Sequence, residues 1–262
     1  MAWWKRPSPM NDYQSYKNKF DSDGFVVVQD FLTKEELGEL RSQLERYLRD
    51  RVPTLPGTHA FYQDKTRPET LKQMQFMEKV EPFFREYCGH PKWNAMAETL
   101  LGEPIASRSP SWFNKPPLIE HTTPPHQDNY YSRYDPCSYV MIWLALDEVD
   151  DENGCLSYVP GSHRGGFRPH ALTSVLGFSQ GITDFGPKDE AIEVKIHLRP
   201  GSAVAHHGMA IHRANPNKSP TRNRRAFAMA MMGVSCKVDE VAYAAHKKQV
   251  AEQHKRFGVK GS

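Results

Sequence analysis

In the stretch Arg224-Arg225-Ala226-Phe227-Ala228-Met229-Ala230-Met231, large and small side chains alternate without a break from Arg225 onward. In an extended strand successive side chains leave on opposite faces. One face would then carry Arg224, Ala226, Ala228 and Ala230, and the other Arg225, Phe227, Met229 and Met231. Such a strand suits a place between two layers: its small face lines the interior of a barrel, and its large face packs against outer helices or a second sheet. The chain before it has a matching texture. From about residue 105 helical periodicity fades, and short β-rich segments fall between Pro, Gly and Asn-Gly signals. The expected strands are 111–114, 126–131, 138–147, 155–159, 191–197, 202–205, 210–214 and 225–231. About eight strands is the number of a jelly roll or cupin-like barrel. The fold expected is mainly β with flanking α-helices around a double-stranded β-helix core.

The N-terminal side reads differently. A polar arm leads to a short buried strand over 25–28, and Thr33 with Glu36 forms a capping-box pattern ahead of Leu37, Leu40, Leu44 and Leu48 at helical spacing. Residues 50–70 read as loop, and 71–87 and 91–101 as further helices, the last stopped by Gly102. Met74, Phe76 and Met77 are expected in the core. The 262 residues are read as a single domain: about 15–104 helix-rich, about 105–235 the jelly-roll core, and 236–262 a C-terminal extension. The Gly-rich stretch 165–190 is long enough to suggest a lid.

Charge and cysteine usage narrow the partners. Lys+Arg 34 against Asp+Glu 31 leaves +3, too small a surplus to imply nucleic acid or an anionic membrane, so a small-molecule ligand is expected. No apolar run approaches the roughly 20 residues of a membrane span. The start MAWWKRPSPM lacks a signal-peptide apolar segment, so a cytoplasmic location is expected. Cys88, Cys137, Cys155 and Cys236 show no Cys-x-x-Cys spacing, which argues against a zinc finger or a disulfide scaffold. Cys155 is expected to be buried.

Within TTPPHQDNYY, His126 and Asp128 stand two positions apart. On a strand both would face one ion, although a His-x-Asp match is frequent by chance and a surface pair is its commoner meaning. A second histidine on another strand would complete a facial triad, which holds Fe(II) while leaving positions open for substrate chemistry. His206, His207 and His212 are the candidates. His212 ends an apolar segment and precedes polar turn residues, as a ligand at a barrel mouth should. Arg224 lies twelve residues further on, where a buried guanidinium could clamp a carboxylate. Tyr130, Tyr131 and Tyr134 follow the metal pair and could face substrate or pack.

Six motifs in order, DGFVVVQDFLTKEEL, FNKPP, HQDN, WLALDEVDDENGCLSYVPGSH, PGSAVAHHGMAIHRANPNKS and RRAFAM, make the chain resemble the phytanoyl-CoA dioxygenase family of Fe(II)/2-oxoglutarate-dependent oxygenases. The resemblance implies that His126, Asp128 and His212 are the metal ligands and catalytic centre. It makes Arg224 the anchor of the 2-oxoglutarate distal carboxylate and sets Gln127, Trp143 and Lys115 around the cosubstrate. His207 matches a family histidine that does not bind iron, and Asn217 also matches the pattern. Ala214 stands where serine or glycine is frequent, so no hydroxyl reaches the cosubstrate from there. The implied reaction consumes O2 and 2-oxoglutarate, releases succinate and CO2, and hydroxylates an aliphatic C–H bond of a small molecule. Asp128 disfavours halogenation, for which the carboxylate is absent. His206 and His207 are expected to be dispensable for metal, and Arg225 to be exposed. A zinc-dependent hydrolase on the same triad and a non-catalytic cupin-like binding protein are the competing classes.

Overall fold

The computed structural model describes residues 13–119, 121–173 and 180–256. Where the sequence suggested only a polar arm, helix α1 (Gln14–Asp23) forms and buries Phe20, with its N-cap Tyr13 also in the core. Strand β1 (Phe25–Val28) and helix α2 (Lys34–Asp50) follow as expected. The Thr33 hydroxyl accepts from Glu36 N at 3.2 Å and the Glu36 carboxylate accepts from Thr33 N at 2.8 Å, so the capping box sets the start of α2. Its Leu37, Leu40 and Leu44 are buried.

The segment from residue 71 departs from the expected helix. Strand β2 (Ala60–Tyr62) pairs with β3 (Leu71–Met74), and only the short helices α3 (Met77–Val80) and α4 (Pro82–Tyr87) come after. Phe76, at φ 57 in the left-handed region, cannot continue a helix, and Pro82 starts a new one. Met74 and Met77 are fully buried, as expected of core. Helix α5 (Pro91–Leu101) stops at Gly102 with φ 75.

The remaining elements are β4 (Ile105–Lys115), β5 (Thr123–His126), α6 (Asn129–Ser132), β6 (Tyr139–Ala145), β7 (Leu156–Tyr158), β8 (His170–Leu172), β9 (Gln180–Ile182), α7 (Pro187–Glu190), β10 (Val194–Ile196), β11 (Ala203–His207), β12 (His212–Ala214), β13 (Arg224–Gly233) and α8 (Glu240–Arg256). A seven-stranded sheet runs β1-β11-β6-β13-β4-β3-β2 and a four-stranded sheet runs β10-β7-β12-β5, with antiparallel pairing throughout. The chain is therefore mainly β with flanking helices in a cupin-like arrangement, and β1, β2 and β3 bring the N-terminal part into the large sheet. The stretch expected as a lid carries the β8–β9 hairpin, and its residues 174–179 lie outside the described residues.

Strand β13 lies between β4 and β6, paired along most of its length with each. Its two faces serve two cores. Phe227, Met229 and Met231 join the outer core under the helices, where the Phe227 ring lies 6.0 Å from Phe84, 5.7 Å from Tyr87 and 5.6 Å from Trp93. Ala226 and Ala228 join the inner core with Trp143, Leu156 and Tyr158. The small face leaves the space between the sheets open, and the large face closes the space under the helices. Replacing Phe227 with Ala should therefore cost about 3–5 kcal/mol in urea unfolding, while the folded fraction still binds metal at wild-type affinity; a loss below about 1 kcal/mol would place this ring outside the load of the outer core.

Candidate active site

His126 ends β5 and His212 begins β12, and the two are direct cross-strand partners with ring centroids 4.1 Å apart. Each ring is oriented by its own backbone. His126 Nδ1–H donates to Pro124 O at 2.8 Å and His212 Nδ1–H to Ala210 O at 3.0 Å, which leaves both Nε2 lone pairs facing the same space. Asp128 does not sit on a strand, as the sequence spacing suggested. β5 ends at His126, and Asp128, at φ -56 and ψ -38, is the N-cap of α6, so a turn and not strand alternation brings its carboxylate back to the histidines.

Asp128 Oδ1 lies 3.4 Å from His126 Nε2 and 3.7 Å from His212 Nε2. Donors about 2.1 Å from one ion and at right angles are roughly 3 Å apart, so the three atoms sit slightly wider than one ion would draw them. Burial alone would raise the Asp128 carboxyl, but the imidazoles around it, His126 and His206 foremost, outweigh it and hold the group well below the usual range. Burial, with His126 and His206 nearby, pushes His212 well below its ordinary value, so its ring is neutral and able to ligate. A second cluster, Asp151, Cys155 and His197, lies elsewhere, and there the Lys195 ammonium already holds Asp151 at 3.1 Å.

The other oxygen of Asp128 has partners that sequence reasoning missed. His206 Nε2 lies 3.1 Å from Oδ2, and the Tyr139 hydroxyl donates to the same oxygen at 3.3 Å. Since the carboxylate can only accept, His206 Nε2 carries the proton, and its Nδ1 accepts from the Tyr158 hydroxyl at 2.8 Å. Tyr158 in turn stacks on His212 with ring centroids 5.4 Å apart and on Phe25 at 4.7 Å. A Cβ on Gly208 would collide with the Tyr139 ring, so this approach requires glycine. The available signal was the alternation of β11: Val204 and His206 face the interior, whereas the His207 ring lies 6.2 Å from Phe20 of α1.

The cavity around the triad encloses about 810 Å³ including its open mouth, and Trp143, Lys115 and Arg224 line it. Arg224 is 4% exposed, its Nε has no hydrogen-bond partner among the described residues, and its guanidinium lies 5.2 Å over the Trp143 ring. Burial lowers its pKa to about 10, which leaves it charged at neutral pH. Lys115 is its cross-strand partner and donates to His121 O at 3.0 Å. Asn217 donates to Lys115 O at 2.8 Å and Arg222 O at 2.6 Å, and so ties the turn before β13 to the end of β4. Gln127 does not line the cavity. Its amide donates to Gly166 O and Met209 O, both at 2.9 Å, and accepts from Arg168 N, because it leaves the chain opposite His126 and Asp128. Arg225 is not simply exposed either: it makes a two-pronged pair with Asp147 at 2.7 and 2.9 Å. Tyr131 is placed at the site, its ring 5.8 Å from that of His126.

Residues 20–226 match the family model described as Phytanoyl-CoA dioxygenase. The peroxisomal phytanoyl-CoA dioxygenase of Mus musculus is 26% identical over 261 residues, covering 92% of this chain and 76% of the relative. The phytanoyl-CoA dioxygenase of Arabidopsis thaliana is 26% identical over 245 residues, covering 80% of this chain and 85% of the relative. Among solved structures, EvdO2 from Micromonospora carbonacea var. aurantiaca, complexed with 2-oxoglutarate, superposes with a TM-score of 0.70 at 26% identity, covering 89% of this chain and 94% of that one.

The geometry sets different outcomes for the histidines in Co(II) or Mn(II) titrations. Alanine at His126, Asp128 or His212 should abolish tight binding, and His207→Ala should leave it near wild type. Contrary to the expectation from sequence, His206→Ala should weaken it about 10–100-fold by releasing the Asp128 carboxylate. Wild-type affinity in His206→Ala would mean that the His206 contact does not orient the ligand.

Proposed function

The chain belongs to the phytanoyl-CoA dioxygenase family of Fe(II)- and 2-oxoglutarate-dependent oxygenases, and we propose that it hydroxylates an aliphatic C–H bond of a small molecule, with iron held by His126, Asp128 and His212. The observation that carries this reading is the presence in one cavity of that three-donor cluster and a buried guanidinium with an unpartnered Nε. A buried cation lacking a protein counter-charge is costly unless a ligand supplies one. The distal carboxylate of 2-oxoglutarate is that ligand, and the fork of Arg224 fits it.

When bound, iron and 2-oxoglutarate supply O2 activation coupled to loss of CO2 and formation of succinate, with the second oxygen atom delivered to the substrate. The chain's own residues orient and shield. Pro124 O and Ala210 O fix the two ligand rings, and His206 and Tyr139 engage Oδ2 of Asp128, so that Oδ1 faces the histidines. Trp143 covers the Arg224 guanidinium and limits water at that end. Lys115 ties the end of β4 to His121 through its carbonyl and stands beside Arg224. Gln127 acts one layer out, fastening the 166–168 backbone to the strand that carries His126. Asp128 occupies the position that halogenation would need vacant.

A zinc hydrolase on the same triad would have no use for a buried Arg224 in the same cavity, and a non-catalytic binder would have no use for two imidazoles and a carboxylate aimed at one point. The cytoplasm is kept as the proposed compartment, although the mouse relative is a peroxisomal protein. The reading is tested by succinate release from the Fe(II) protein given 2-oxoglutarate and O2; no release in any metabolite mixture, together with zinc-dependent hydrolysis, would replace it. Arg224→Ala should cost about 2–5 kcal/mol in cosubstrate binding and raise the apparent KM for 2-oxoglutarate at least tens-fold, with Lys at 224 restoring part. Arg225→Ala should keep that KM and lose about 1 kcal/mol or less of stability with its Asp147 pair.

A further inference from the structure

The described lining residues of the cavity carry more positive charge than one 2-oxoglutarate can match. Lys72, Lys115 and Arg224 all line it, and the one carboxylate among its described lining residues is Asp128, which is already engaged by imidazoles. None of the three cations forms an ion pair with a described residue. With one end of the keto acid at the metal, a single carboxylate remains for Arg224. Lys115 has the His121 carbonyl. Lys72 has no hydrogen-bond partner at all among the described residues, although it is half-buried beside Gln73, whose ladder partner Phe113 faces the same cavity.

An exposed lysine without a partner is ordinary, because water solvates it. Lys72 is in a different position: burial pulls its ammonium down, and it is close enough to Lys115 to lower that group too, behind the larger effects of burial and Arg224. Phe113, Ile119, Met141 and Leu156 add apolar surface to the lining that Lys72 shares with the triad. A ligand that suits this distribution has an anionic head and an apolar body.

We infer that Lys72 is a specificity-determining residue that receives the anionic group, a carboxylate or a phosphate, of the prime substrate, whose apolar part lies along Phe113, Ile119 and Met141 toward the metal ligands. The inference rests on the oxygenase reading of this cavity. Lys72 thereby selects what is hydroxylated without taking part in activating oxygen.

The test is calorimetry on the protein loaded with Mn(II) and 2-oxoglutarate, using hexanoate, hexyl phosphate and uncharged hexanamide as probes. At least one anion should bind about tenfold or more tightly than the amide, and which of the two binds better identifies the head group. In Lys72→Met the preference should fall to about twofold or less, and Lys72→Arg should retain most of it, while 2-oxoglutarate affinity stays within about threefold of wild type in both. Absence of a preference in the wild-type protein, or a preference that survives Lys72→Met, overturns the inference. Failure of the oxygenase reading would appear separately, as loss of 2-oxoglutarate binding by the wild-type protein itself. Thermal unfolding of each variant, expected within a few degrees of wild type for a half-exposed side chain, checks that a loss is local.

Discussion

Asp128 is a largely buried carboxylate, and a buried charge must be met on all sides or it unfolds what surrounds it. Its two oxygens are answered from different sheets. His126 and His212 reach Oδ1 from the four-stranded sheet, while His206 and Tyr139 reach Oδ2 from the seven-stranded one. One side chain thus joins the two layers at the mouth of the barrel. The tyrosine behind His206 extends the connection, since Tyr158 belongs to the small sheet and hydrogen-bonds a histidine of the large one. Binding and architecture share the same atoms here, which explains why these aromatic rings are packed so tightly around a polar centre.

Much of this was legible in the sequence where one local rule operated alone. The capping box at Thr33 and Glu36, the stop at Gly102 and the alternation of β13 each follow from a few neighbouring residues, and each is found in place. Arg224 could be assigned inward because Ala226 and Ala228 share its face. Reading failed where tertiary partners decided. Leu71 and Met74 have helical spacing, yet the open edge of β4 recruits the segment as a strand. The two-residue spacing of His126 and Asp128 suggested a shared strand face, but the backbone turns into α6 between them. His206 was passed over because a histidine pair gives no sign of which member faces inward until the end of β11 is known, and Tyr158 because a hydroxyl bonded to a ring across the barrel leaves no trace in linear spacing.

The charges of the cavity separate what belongs to the reaction from what belongs to this chain. The donor cluster and Arg224 fit the demands of iron and a diacid. The lysines on β3 and at the end of β4 go beyond those demands, and they lie on strands at the far side of the large sheet from β1. On the proposed reading, chemistry and selectivity would be carried by different strands of one barrel, as expected when a fold keeps its reaction and varies its ligand.

The two faces of β13 also set a length. Arg224 is carried by the large sheet and His126 and His212 by the small one, so the span from guanidinium to Nε2 atoms is governed by how far apart the sheets stand. Alanines at 226 and 228 help to fix that spacing from within, and Phe227 braces the same strand from outside. If Arg224 and the two histidines hold the ends of one keto acid as proposed, the barrel would gauge its chain length: a diacid one carbon longer or shorter would meet both ends only if the sheets shifted. Substitutions far from the cavity, under the helices, would then change which keto acid is accepted even though no atom touching it had been altered.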